Sequence, residues 1–386
     1  MIELNLLYYS NAFIANHGGR LHSEAFLKEA SLHPSVSNIE PYPSPEIVNT
    51  SGDKVVNKGL KKKLKENSLL QAFFFYRRNF NSYKEIVEVL NKSESKIDVL
   101  HIRVDSNFLI IPKLKKRFPE LIITTEVNAS PFDENFQNIA FRDYYKNAEK
   151  KCLQEADANF FVSEYLKETI MTETKSSRDF VVHNGVALDS FPTKMHFDVD
   201  PSRTTFGYVG TLDYHKNLLS LINAFNNVHA IHGDKVSLKI FGDGPMYKDL
   251  KDYIYSLNLD KAVHLAGWVD HKKVADNLSE LDIAIHHSAN PYMSPLKIFE
   301  YMAVGVAVIG PDIPSVREIF EDGEDLLLVK KSQDDLTAKM IFLLENKMER
   351  KRIASTGNIK VRENYGWDSN AANILQIIKK KFDENN

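Results

Sequence analysis

The residues best placed to do chemistry lie in SPLKIFE, from Ser294 to Glu300. Apolar runs on either side, Asp282 to His286 and Val306 to Ile309, read as buried strands. Between them the pattern predicts a helix that opens at Ser294-Pro295, with serine as cap and proline in the first turn, and that closes at Gly305. The first N–H groups of a helix have no partner within it. Those of Leu296 and Lys297 are therefore available to an anion, and the helix dipole adds to the attraction; a phosphate is the anion expected. Glu300 shares a helix face with Leu296 and Ala303, so its carboxylate needs a partner away from water. Two partners suit it: the Lys297 ammonium one turn earlier, or two sugar hydroxyls of a nucleotide.

Other polar residues stand at comparable places. Gly210 ends the strand pattern TFGYVG, and Lys216 precedes the helical LLSLINAFNNVHAI, where an ammonium can neutralise a phosphate at the helix start. Gly18 and Gly19 separate a strand from a helix; they either permit close approach to a ligand or form an ordinary turn. Glu126 and Asn128 follow a strand in TTEVNASPFDE and are either site residues or loop caps. Gly242 and Gly244 follow another strand but lack the third glycine of a dinucleotide fingerprint. His286 and His287 are adjacent, without metal-ligand spacing, and read as loop residues. Cys152 reads as a core residue. No paired-acid motif is present, and no metal is expected.

These residues need a scaffold. Continuous apolar strands such as DVLHIRV, LIITTEV and ANFFVS alternate with helical patterns, which predicts an α/β fold with parallel sheets covered on both faces. Ligands then bind beyond the C-terminal ends of the strands. The 386 residues, 43% hydrophobic, suffice for two cores. We expect an N-terminal domain over 1–195, a polar linker near Thr193 to Arg203, a second domain over 203–366, and a C-terminal amphipathic helix over 367–386. A net charge of −3 gives no field for nucleic acid. A single cysteine, an opening without a basic leader, and no apolar run approaching ~20 residues predict a cytoplasmic protein. The basic KVVNKGLKKKLK followed by QAFFFYRRNF, within Lys54 to Phe80, is either a solvated face or a surface that touches anionic lipid at the inner face of the membrane.

SPLKIFEYMAVGVAVIGPDIPSVREIFEDGEDLLLV resembles the donor-binding signature of the retaining family 4 glycosyltransferases. The resemblance implies a GT-B fold: two facing Rossmann-like, doubly wound domains with a cleft between them. It implies transfer of a sugar from a UDP-sugar or GDP-sugar to a glycan or lipid-linked acceptor, with retention and without a metal cofactor. Glu300 matches the glutamate that binds ribose hydroxyls, and Lys216 the lysine that binds the donor diphosphate. The loop at Gly18-Gly19 would face the phosphates, the loop of Glu126 and Asn128 would reach the donor sugar, and Trp268 and Val269, after Gly267, would frame the base. Gly210, Gly242, Gly244, Ser294, Pro295, Leu296 and Lys297 complete the implied donor site. Tyr292 stands where the family has its first glutamate and Thr211 where it has an arginine. Those departures leave two other readings open, a nucleotide-sugar binding protein without turnover and a nucleotide-sugar epimerase of the same fold.

Overall fold

The structure is a computed structural model and describes residues 3–14, 18–45, 67–133, 136–172, 176–195, 200, 202–294 and 296–385. The chain forms two compact units, residues 1–184 with 367–386 and residues 185–366. The basic cluster from Lys54 to Lys65 lies outside the described residues.

In the first unit, β1 (Leu4–Tyr9), β2 (Val36–Tyr42), β3 (Val99–Val104), β4 (Ile122–Val127), β5 (Ala158–Phe161) and β6 (Asp179–Val181) form one sheet. Its order is β2-β1-β3-β4-β5-β6, and neighbouring strands are parallel. Helices Gly18–Ser31, Ser68–Lys92, Ile111–Arg117, Arg142–Gln154 and Glu164–Met171 connect the strands. Every residue of β4 is buried, as a strand covered on both faces requires. The last helix, Trp367–Asn385, lays Ala371, Ile374, Leu375 and Ile378 into the same core as Leu4, Phe26, Ile122 and Phe160. Its apolar stripe is buried there.

In the second unit, β7 (Thr204–Val209), β8 (Val236–Phe241), β9 (Val263–Gly267), β10 (Ile283–Ile285), β11 (Ala307–Pro311) and β12 (Leu327–Val329) form a second parallel sheet. The order is β12-β11-β10-β7-β8-β9. Chain progression thus runs outward from β7 on one side and from β10 on the other. The connections leave in opposite directions at this pair, which opens a crevice beyond the two strand ends. Val186 and Phe191 are buried with Ile298, Phe299 and Val304 in a core of this unit. The boundary by contacts therefore falls at Gly185, ahead of the polar stretch near Thr193.

The helix Ser68–Lys92 is capped by Asn67, whose side chain accepts from the Leu69 and Leu70 N–H groups. Leu69, Phe73, Tyr76 and Phe80 are exposed along it. Among the described residues, no helix is long and apolar enough to cross a membrane.

Candidate functional site

At the crevice of the second sheet, two loops meet. One follows β7 and carries Gly210, Thr211 and Lys216; the other follows β10 and runs from His286 to Ser294. The Ser288 hydroxyl donates to the His215 carbonyl at 3.2 Å, and His287 Nε2 donates to the Asn217 carbonyl at 3.2 Å. The second bond fixes the tautomer of His287, because only a protonated Nε2 can donate to a carbonyl. Its Nδ1 is then a bare lone pair, buried and without a partner. Burial holds His287 neutral, down to about 4.

Lys216 sits half-buried in this lacing. Burial lowers the pKa of its ammonium, and the Asp213 charge opposes that only in part. Among the described residues, no carboxylate forms an ion pair with it, so its positive charge is uncompensated at short range. Thr211 is exposed. His286 opens the loop after β10, as expected, but is buried there, 5% exposed, its backbone N–H bonded to the Ile309 carbonyl at 2.9 Å.

The helix that follows is Leu296–Val304. Tyr301 pins it to the end of β7, its hydroxyl accepting from the Val209 N–H at 2.9 Å and donating to the Val209 carbonyl at 3.1 Å. Gly305 ends it in the left-handed region at φ +85°, where a side chain would be strained. Glu300 is 7% exposed and accepts from the Lys297 ammonium at 2.6 Å, so the lysine is the partner that the structure supplies. Ser294 differs from its expected role as cap: its hydroxyl is buried and forms no hydrogen bond. Pro295 lies outside the described residues. Tyr292 is buried, and the Asn290 amide donates to its hydroxyl at 3.1 Å.

The glycines after β8 hold the loops together. Gly242 has φ +144°, and a Cβ there would stand 1.8 Å from the Gly210 carbonyl oxygen; at Gly244 it would meet Leu212 backbone at 2.6 Å. Both serve the close approach of two loops, with Leu212 N–H bonded to the Asp243 carbonyl at 3.0 Å. Trp268 follows β9 and is 73% exposed, which removes plain packing as its reason, whereas Val269 packs against the core.

The first unit carries a second charged group. Gly18 and Gly19 open the helix Gly18–Ser31, from which His22 reaches Glu126 at 2.9 Å. Arg103 on the neighbouring β3 reaches the same carboxylate oxygen at 2.6 Å, Asn128 also donates to it, and the Tyr8 hydroxyl lies 3.5 Å from the other oxygen. Burial works against the Glu126 charge, but the His22 ring and the Arg103 guanidinium outweigh it and hold the carboxyl well below the usual range. Burial keeps His22 itself low. Glu126 and Asn128 are thus brought together, with each other and with partners from three further elements. An ionised carboxylate on a wholly buried strand must be neutralised within the core, and Arg103 does this, with the His22 ring adding a hydrogen bond. Neither was visible as a partner in the sequence, since both are distant along the chain. Among the described residues, no group of three or more His, Cys, Asp or Glu side chains is placed to hold a metal.

Comparison with known proteins follows the same division. Residues 194–359 match the family model described as glycosyl transferases group 1. Phosphatidyl-myo-inositol mannosyltransferase of Mycobacterium tuberculosis is 29% identical over 207 residues, 51% of this chain and 53% of that protein. The matched segment spans about half the length of that curated relative. Among solved structures, sucrose-phosphate synthase from Thermosynechococcus elongatus superposes with a TM-score of 0.74 at 15% identity, covering 99% of this chain and 100% of the other. Anabaena HepE in complex with UDP and glucose gives 0.70 at 13%, covering 98% and 100%. At these identities the likeness defines the fold, which is the two-domain α/β fold called GT-B.

Proposed function

We propose that this protein is a glycosyltransferase that moves a sugar from a nucleotide diphosphate sugar to a glycan or lipid-linked acceptor, with retention at the anomeric carbon. The observation that carries the reading is the crevice between β7 and β10, inside the segment matched by the family. There Lys216 presents a half-buried, uncompensated charge beside the buried Lys297–Glu300 pair and the unpaired Ser294 hydroxyl. Uncompensated buried polar groups are rare unless a ligand completes them. Lys216 and Lys297 would stabilise the charge that grows on the departing diphosphate, a contribution of ~3 kcal/mol for a well-placed donor. Glu300 would hold the ribose hydroxyls, and the exposed Trp268 face would meet the base. The donor is a UDP-sugar or a GDP-sugar, and no metal cofactor is needed when lysines neutralise the phosphates.

A lipid-linked acceptor is supported by two things. The mannosyltransferase relative is named for phosphatidyl-myo-inositol, and the helix Ser68–Lys92 exposes Leu69, Phe73, Tyr76 and Phe80 beside Arg77 and Arg78. Such a face suits peripheral contact with anionic lipid at the cytoplasmic side of a membrane. A second reading, nucleotide-sugar binding without turnover, is favoured by Tyr292, a buried phenol where the family signature has a carboxylate.

Thermal unfolding against UDP, GDP, ADP and their common sugars tests the donor site. A ligand at a hundred times its dissociation constant stabilises by about 2.7 kcal/mol, so the matching base raises the midpoint visibly. No rise with any of them removes the reading. Turnover of the matching donor, followed by release of its nucleoside diphosphate in the presence of acceptor lipids, separates transferase from binding protein.

A further inference from the structure

His286 is the residue in the crevice that no part of the donor-site reading employs. It is buried at the end of β10, and neither ring nitrogen has a hydrogen-bond partner among the described residues; Nδ1 is sealed from solvent as well. Its ring lies parallel to that of Tyr208 on β7, 5° between planes and 6.5 Å between centroids. The Tyr208 hydroxyl is itself occupied, donating to the Thr211 carbonyl at 3.0 Å. The imidazole is thus held in orientation by a neighbour that offers it no hydrogen bond. A buried imidazole with one nitrogen sealed from solvent and unpaired is an expensive arrangement for a residue with only a packing role, since any apolar side chain would fill the space.

The charges around it are of one sign. Lys216 approaches from the loop after β7 and Lys297 from the helix after the loop, with His287 adjacent along the chain. Asp213 acts on Lys216, and Glu300 pairs with Lys297. Burial first, then Lys216, His287 and Lys297, push His286 down to about 3. An anion entering this group reverses that environment.

Resting on the donor-site reading above, we propose that His286 is a further donor-binding residue: its side chain donates a hydrogen bond to the diphosphate of the nucleotide sugar and takes up one proton from solvent as the diphosphate binds. The proton balances part of the charge that the two lysines leave over. Sign follows from linkage. The bound complex holds one more proton than free protein plus donor, so affinity is greatest at low pH and falls as pH rises through the bound-state titration of His286.

The test uses the whole chain with UDP-glucose and GDP-mannose as probes, because the phosphates of a nucleotide sugar are diesters that do not titrate in the range used. Calorimetry between about pH 6 and 8, in buffers of differing ionisation enthalpy, should show proton uptake and about a tenfold loss of affinity per unit of pH up to the bound-state titration of the imidazole, both levelling off above it. Uridine and guanosine, without phosphates, should bind with no proton uptake. His286→Gln should bind the nucleotide sugar more weakly at pH 6 and lose the pH dependence. Binding of the wild type without proton uptake overturns the proposal while leaving the donor site in place, and needs no variant to fold. Binding of neither probe, with the same result for UDP and GDP, overturns both.

Discussion

A buried carboxylate and a half-buried lysine sit toward the C-terminal ends of the two sheets, and they are finished to different degrees. Around Glu126 the carboxylate itself is matched: it meets Arg103 at 2.6 Å and His22 at 2.9 Å, with Asn128 added. Around Lys216 the matching is left incomplete. Among the described residues the lysine has no carboxylate in an ion pair with it, and the Ser294 hydroxyl and the His286 and His287 Nδ1 atoms are buried and unpaired. Full burial would penalise an isolated charge at Glu126 by several kcal/mol, whereas half-burial penalises Lys216 far less. The first meets that cost within the protein, and the second does not. A satisfied cluster reports on folding, an unsatisfied one on binding.

Removing Arg103 should break this contrast most visibly. Arg103→Met leaves Glu126 buried against a neutral histidine, and we expect a loss of about 3–5 kcal/mol in urea unfolding at neutral pH. Pairing it with Glu126→Gln should recover a large part, since an uncharged amide no longer needs the guanidinium. A loss below about 1 kcal/mol for Arg103→Met would mean that the cluster is not the closed structural unit its geometry describes.

The converse experiment is in the other unit. Lys216→Ala should leave the unfolding midpoint within about 0.5 kcal/mol of wild type, because the ammonium makes no ion pair to lose. The same change should weaken nucleotide-sugar binding by about 2–3 kcal/mol, read by calorimetry. Glu300→Gln should also weaken binding, with a small stability cost from the Lys297 pair. If Lys216→Ala instead unfolds the protein and Arg103→Met is silent, the two clusters have exchanged roles.

How far the sequence reached depended on the range of each interaction. β3, β4 and β5 were legible because each is a short run rich in β-branched, aliphatic or aromatic residues set between helical patterns, as a doubly covered strand requires. Gly305 was legible because a helix end is local, and so was the Lys297–Glu300 pair, whose members lie one turn apart. Lys216 was legible from its place before a helix. The order of strands was hidden, since nothing in β7 names β10 as its neighbour, and with it the meeting of Lys216 and His286. His286 therefore looked like one of two adjacent loop histidines. Arg103 and His22 were hidden for the same reason. Ser294 shows a different failure: its residue type fits a helix cap, but the chain enters the helix so that the hydroxyl is buried unpaired.

Glu149 sharpens the comparison, because it is a buried carboxyl of the first unit that is not settled. On the helix Arg142–Gln154 it is buried, one oxygen 2.9 Å from the Ser130 hydroxyl and the other without a partner. No cation neutralises it at contact distance, and burial, opposed weakly by Ser130, raises its carboxyl to about 8. The folded state therefore prefers the neutral acid. Its folded pKa exceeds the unfolded one, so the favourable contribution is complete below the usual glutamate range and declines as pH rises, until it is gone above about 8. Glu149→Gln keeps the shape and removes the titration. We expect it to be neutral near pH 5 and to stabilise the protein by about 2 kcal/mol at pH 8, measured as the difference between urea midpoints at the two pH values. A variant that tracked the wild type at both pH values would place a compensating charge beside Glu149, and the first unit would then be as fully matched at this helix as it is around Glu126.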